Sequence, residues 1–355
     1  MSADGSRARR LPTQAGDAHS ATLLGVLLLL HLGLAATLGA RFFDLTNLQS
    51  MSIQMAVFGF LALAMALSML TGGIDLSIVS TAALSGITGA YAMSGSLGLD
   101  GAGEGTLLLY GVAVTLVTGL LCGVVNGLLI AKVGVPPILA TLATMIFYAG
   151  IGAAVTSGSS VAVKGQLLSR IGQLTVASVP LLFVVLIGAF VVAGYALQRR
   201  VLGRFVYLLG ESPAVMTFSG VRHERITVSI YAFCGLLSGI AGVVTLSVVN
   251  SARVGFGESY LLQAILVVVL AGFDPFGGRG RVLNLAVGIV LLQSLQSAFS
   301  SYGFSPFAKD LVWGLLLLVV IVNAPAVGRF RPWRRRAGTA PVPGADPVPS
   351  LSGGK

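Results

Sequence analysis

Residues 71–77 read Thr-Gly-Gly-Ile-Asp-Leu-Ser, which sets the carboxylate of Asp75 inside an otherwise nearly uncharged apolar stretch. Met51 to Leu70 carries no charge, and Ile78 to Met93 is again apolar and small. An ionisable group between two membrane-length segments is costly, and such groups tend to be functional. Irregular backbone at that depth is tolerated only inside protein or along a wet cavity. The Gly-Gly pair, the acid and the serine therefore mark a place where the chain leaves regular helix on a transport pathway. Asp75 has two roles open to it. It can cap a helix starting at Leu76, whose positive end favours an anion, or it can relay protons. No second buried carboxylate or histidine stands near it in sequence, which favours the cap.

The other polar groups inside apolar segments carry no charge. Ser77, Asn126, Thr141, Thr144, Gln263, Gln293 and Gln296 are the candidates for lining a path with Asp75. Each can offer a replaceable hydrogen bond to a passing solute. Each can equally make an interhelical hydrogen bond worth about 1 kcal/mol.

The elements that must position these groups are membrane helices. Only 10% of the 355 residues are charged, 55% are hydrophobic and the mean hydropathy is +0.93. A soluble domain carries about 25% charged residues, so the composition defines an all-α, polytopic membrane protein. The net charge of +10 does not point to nucleic acid, because the basic residues sit in short runs between apolar spans. About 20 apolar residues cross the hydrocarbon core as helix. The spans expected are 21–40, 51–70, 75–94, 106–131, 137–156, 176–197, 226–249, 257–273, 282–300 and 307–324, about ten transmembrane helices. With both termini in the cytoplasm, 17 of the 22 Lys and Arg residues fall inside and five outside, as the positive-inside rule requires. The eighth span is short, and a broken or re-entrant helix is the alternative there. The first apolar run, 21–40, is longer than a secretory h-region of about 7–15 residues and reads as an uncleaved span.

This divides the chain into a polar cytoplasmic N-terminus (1–20), a permease domain (21–325) and a basic, then disordered, tail (326–355). Gly119, Gly123 and Gly127 stand at helical spacing and predict close backbone packing. Cys122 and Cys234 read as small buried apolar residues, and neither they nor the three histidines have metal-ligand spacing. The largest internal polar stretch, 198–225, is longer than a connection needs. Within it Ser212 can cap a short helix with Pro213 at its first position, and Gly220 can stop it. That helix, with Met216 and Phe218 exposed, reads as a docking knob for a cytoplasmic partner.

Taken together, these segments resemble the permease subunits of bacterial ABC-type sugar importers, the ribose, xylose, arabinose and galactose group. The resemblance rests on Thr71–Ser77, Asn126-Gly127, Pro136-Pro137, Thr141-Leu142-Ala143-Thr144-Met145, Gly203-Arg204, Ser219-Gly220-Val221 and Gly277-Gly278-Arg279-Gly280, in order over about 45–325. It implies a pore-forming subunit of the plasma membrane that hydrolyses nothing itself and needs no cofactor. It implies a pair of permease subunits, homo- or heterodimeric, with cytoplasmic ATPase subunits and a periplasmic or lipid-anchored solute-binding protein. Gly210, Glu211, Ser212, Pro213, Ala214, Met216, Phe218, Ser219 and Gly220 would then form the contact with the ATPase. A monosaccharide, rich in hydroxyls and uncharged, would suit the weak polar path above. The sequence agrees on one independent point: it lacks a phosphate-binding Gly-x-x-x-x-Gly-Lys-(Ser/Thr) loop, its only Gly-Lys being Gly354-Lys355. A permease for a nucleoside, an amino acid or a signalling furanose shares this architecture. An ion-coupled secondary transporter would need buried ionisable residues in several spans, and these spans hold almost none.

Overall fold

In the computed structural model, which describes residues 12–96, 98–99, 101–212, 216 and 221–323, the chain folds as a helical bundle. Its helices are α1 (Pro12–Leu38), α2 (Leu45–Leu70), α3 (Ile78–Met93), α4 (Glu104–Ala131), α5 (Pro137–Thr156), α6 (Leu167–Gly172), α7 (Leu181–Arg199), α8 (Val201–Glu211), α9 (His223–Val249), α10 (Glu258–Leu270), α11 (Val282–Ser301) and α12 (Pro306–Asn323). Seven of them, α1, α2, α4, α5, α7, α9 and α11, are long and apolar enough to cross a membrane. The apolar α3 and α10 have only 16 and 13 residues, so at 1.5 Å per residue they reach about 24 and 20 Å, short of a 30 Å core. The expected spans 75–94 and 257–273 are thus each truncated by non-helical backbone. α1 also differs from expectation, running back to Pro12 through part of the segment read as a polar terminus.

Burial grades the helices. The most apolar window of α2 is 89% buried and that of α1 only 11%, so α2 is the axis of the bundle and α1 lies on its edge. The largest core cluster is built around α2, with side chains of α7, α9, α10 and α11 closing over it. The packing follows a repeated plan. α2 packs on α10 and α11, as α9 packs on α3 and α4. α3 packs on α5, as α10 packs on α12. The series α2–α5 and α9–α12 both place a short helix second, and both open their last helix on a proline, Pro137 and Pro306.

Small residues let α4 and α9 meet closely. A methyl group on Gly119 would fall 2.8 Å from the Cα of Gly239, and one on Gly123 would fall 2.9 Å from the Cα of Gly235. The glycine spacing read from the sequence is this contact. Between helices the chain adds short strands: 161–162 pairs antiparallel with 251–252, and 175–176 with 179–180. Both cysteines are buried and unpaired.

Candidate functional site

The break after α2 is built from its own backbone. Thr71 Oγ1 donates to the Ser68 carbonyl at 2.7 Å, and the Gly73 N–H bonds back to the same carbonyl at 3.2 Å. Gly72 takes φ +81°, a left-handed conformation that favours glycine. Gly73 is needed for space, since a Cβ there would strike the hydroxyl of Tyr231 on α9 and lie 2.8 Å from Pro137.

Asp75, 2% exposed, follows this turn. Its Oδ1 accepts the Ser77 N–H at 2.9 Å and the Ser77 hydroxyl at 2.7 Å. Asn126 Nδ2 on α4 donates to Ser77 Oγ at 2.7 Å, and Tyr148 on α5 donates to the Cys122 carbonyl at 3.0 Å and to Asn126 Oδ1 at 3.4 Å. Thr141 Oγ1 donates to the Ile74 carbonyl at 3.0 Å, tying α5 to the break, and Thr144 donates to the Thr141 carbonyl. Three candidates, Asp75, Ser77 and Asn126, therefore share one buried network with Tyr148, while Thr141 and Thr144 stand beside it, joined to the break through the Ile74 carbonyl. Asp75 closes a turn onto Ser77, the residue before α3; the helix begins at Ile78 and not at Leu76, and Asp75 bonds none of its N–H groups.

The three glutamines do not join them. Gln293 on α11 donates to Gln54 of α2 at 3.2 Å. Gln296 lies one turn on, its buried Oε1 without a partner among the described residues. Gln263 is half-buried on α10.

Next to the network a narrow cleft, partly open to the surface, runs between α2, α3, α9 and the start of α10. Its walls include Val57, Ala82, Thr245, Arg253, Phe256 and Tyr260. A second narrow hollow adjoins it, sharing Val79, Ala83 and Phe256 and reaching Tyr148. Openings with Arg253, Phe256 and Glu258 at one end thus lead towards the polar network at the other. Both hollows lie where the two series of helices meet, beside both short members. Transporters with paired discontinuous helices bind solute in such a position.

Sequence reasoning missed Tyr148, Phe256 and Tyr231. Tyr148 was within reach of periodicity: Thr141, Thr144 and Tyr148 stand at i, i+3 and i+7, one buried face of α5. Phe256 stands between Gly255 and Gly257, both with positive φ, and only the fold turns it into the cleft. The hydroxyl of Tyr231 is buried without a partner among the described residues.

The expected contact region for a cytoplasmic partner comes out differently from its reading as an exposed knob. Met216 is fully buried against the core, so its side chain anchors the segment instead of projecting from it. Ser212 is extended and ends α8, an amphipathic helix the sequence reading did not separate. Pro213, Ala214, Phe218, Ser219 and Gly220 lie outside the described residues. Gly210 and Glu211, at the end of α8, meet two other turns. A Cβ on Gly210 would strike the Leu70 carbonyl at the break and the Gly278 N–H. Gly278 N–H in turn donates to that Leu70 carbonyl at 3.0 Å. Gly277 and Gly278, both with positive φ, thus close a junction of α8, the α2–α3 break and the α10–α11 turn. Tyr207 of α8 adds a bond to the Gly280 carbonyl at 2.9 Å, and burial pushes its hydroxyl above the ordinary phenolic range, with Arg281 opposing.

Apolar helices around a central crossing, two of them cut short beside a buried polar network that holds one carboxylate, are the structure of a multi-pass membrane permease. The chain belongs to the family described as the branched-chain amino acid transport system permease component, whose pattern matches residues 47–321. It is a transport subunit and not an enzyme. It is 32% identical to the ribose import permease protein RbsC of Escherichia coli K12 over 318 residues, covering 88% of this chain and 96% of that protein. RbsC of Bacillus subtilis 168 is also 32% identical, over 81% of this chain and 88% of its own. The autoinducer 2 import system permease protein LsrD of Escherichia coli SMS-3-5 is 28% identical over 90% of this chain and 97% of its own. No solved structure matches.

Proposed function

We propose that this protein is the transmembrane subunit of an ATP-binding-cassette importer in the bacterial plasma membrane, and that it conducts a monosaccharide of the pentose or hexose class. The reading rests above all on likeness to ribose import permeases along nearly their whole length. The site is consistent with such cargo. Its polar groups are hydroxyls, an amide and one carboxylate already held by Ser77, which suits many weak, replaceable bonds to a neutral polyol. A second reading, a signalling furanose, is favoured by the likeness to LsrD.

With ten crossings and both termini in the cytoplasm, α2 and α9 run in opposite directions, and the two series of helices form an inverted repeat. Arg253, Phe256 and Glu258 then face the exterior, where a solute-binding protein would deliver sugar. The junction at Gly210 faces the cytoplasm, where ATPase subunits would bind and pull on the segment after α8. A second permease subunit completes the path. Uptake of labelled ribose by cells carrying the whole transporter tests this. It should persist under an uncoupler, stop on ATP depletion and yield to competing sugars but not to leucine. Competition by leucine and not by sugars would overturn the cargo.

A further inference from the structure

A third hollow lies on the outside of the bundle, between α2, α7 and α11, with a volume of about 420 Å³. Its walls are almost wholly apolar, with Leu186, Ile187 and Phe190 on α7 facing Leu283, Ala286 and Ile289 on α11. From Val282 to Val290 its α11 wall covers roughly 12 Å, close to the 15 Å or so of a single leaflet. At Gly194 an added Cβ would meet only Val282, at 4.0 Å. Helix partners in membranes dock on small residues, whereas these walls are bulky.

The end of the groove has a different chemistry. Tyr195 and Gln198 line it, and α7 ends at Arg199, with the extended Arg200 next in the chain. The Arg200 guanidinium stands 5.5 Å over the Tyr195 ring, which keeps it at the mouth. Both arginines are exposed, and no acidic residue occurs from Gly194 to Gly210. Basic clusters beside intramembrane grooves attract anionic headgroups.

We infer that this groove holds one acyl chain of an anionic phospholipid whose headgroup rests against Arg199 and Arg200. The site requires only that the chain span a bilayer, so it stands whether or not the cargo is a sugar.

Native mass spectrometry of the full chain, loaded in detergent with phosphatidylglycerol or with phosphatidylcholine, tests it. One phosphatidylglycerol per chain should be retained in preference to phosphatidylcholine. The double variant Arg199→Gln/Arg200→Gln should weaken that binding roughly thirtyfold. Gly194→Trp should block it by filling the groove. Should Gly194→Trp fail to fold, Leu283→Trp serves, since Leu283 is already 70% exposed at the rim. Equal retention of the two lipids, or unchanged retention in the groove-filling variant, would overturn the proposal. So would a groove-filling variant that alters only the oligomeric state, since the occupant would then be a second copy of the chain.

Discussion

Asp75 is the residue on which the reading of the break can be tested most sharply. Its Oδ1 receives two hydrogen bonds from Ser77, at 2.9 and 2.7 Å, in a site 2% exposed. In Asp75→Asn the amide oxygen still accepts both, so two charge-assisted bonds become neutral ones, a loss of about 1 kcal/mol each. Burying a neutral amide instead of a carboxylate offsets part of that loss, and the net cost stays under about 2 kcal/mol. In Asp75→Ala both Ser77 donors lose their acceptor, at about 1–3 kcal/mol apiece. The alanine variant should therefore fall below the asparagine variant by roughly 2 kcal/mol, near thirtyfold in the unfolded population. Thermal denaturation of the detergent-solubilised chain measures the order, and uptake between pH 5.5 and 8 measures the function. Asp75→Asn should keep the pH profile of the parent. If it shifts that profile, or is as unstable as alanine, the charge itself is at work and the structural account of Asp75 is wrong.

Gly123→Ala should cost about 1–3 kcal/mol by overpacking, because its methyl would strike the Tyr231 carbonyl and the backbone of Gly235; a melting point equal to the parent's would show that α4 and α9 can separate freely. Tyr231→Phe removes a buried hydroxyl with no partner among the described residues and should be neutral or stabilising by up to about 1 kcal/mol. A clear loss of stability there would reveal a bond through water or solute. Gly210→Ala should lower the solute moved per ATP hydrolysed in the assembled transporter while ATPase activity remains, because it wedges α8 off the Leu70 carbonyl. An unchanged ratio would remove the junction from the coupling route.

Much of this architecture was legible in residue order. Long apolar runs separated by basic residues marked the seven helices long enough to cross, since the bilayer sets a length and polarity for each, but not that 75–94 and 257–273 would fold as short helices. The irregular backbone at 71–77 was legible because two glycines and an acid have no other reason to stand there. Gly277 and Gly278 could be seen as a turn, but not as the partners of Leu70 and Gly210, because such contacts join residues some 70 to 210 apart. Gln293 and Gln296 looked like Asn126 in composition alone. Their helix turns one to Gln54 and leaves the other buried, a choice made by packing and invisible in a list of polar residues. Met216 misled for the same reason: an apolar side chain in a polar loop can project to a partner or fold back on the core, and here it folds back.

Reconstitution in sealed vesicles reaches the central claim most directly. The chain alone should let no labelled sugar accumulate against a gradient, and accumulation should begin when the ATPase subunits, the solute-binding protein and ATP are added. Uphill uptake by the chain alone, driven by a proton or sodium gradient, would contradict the account.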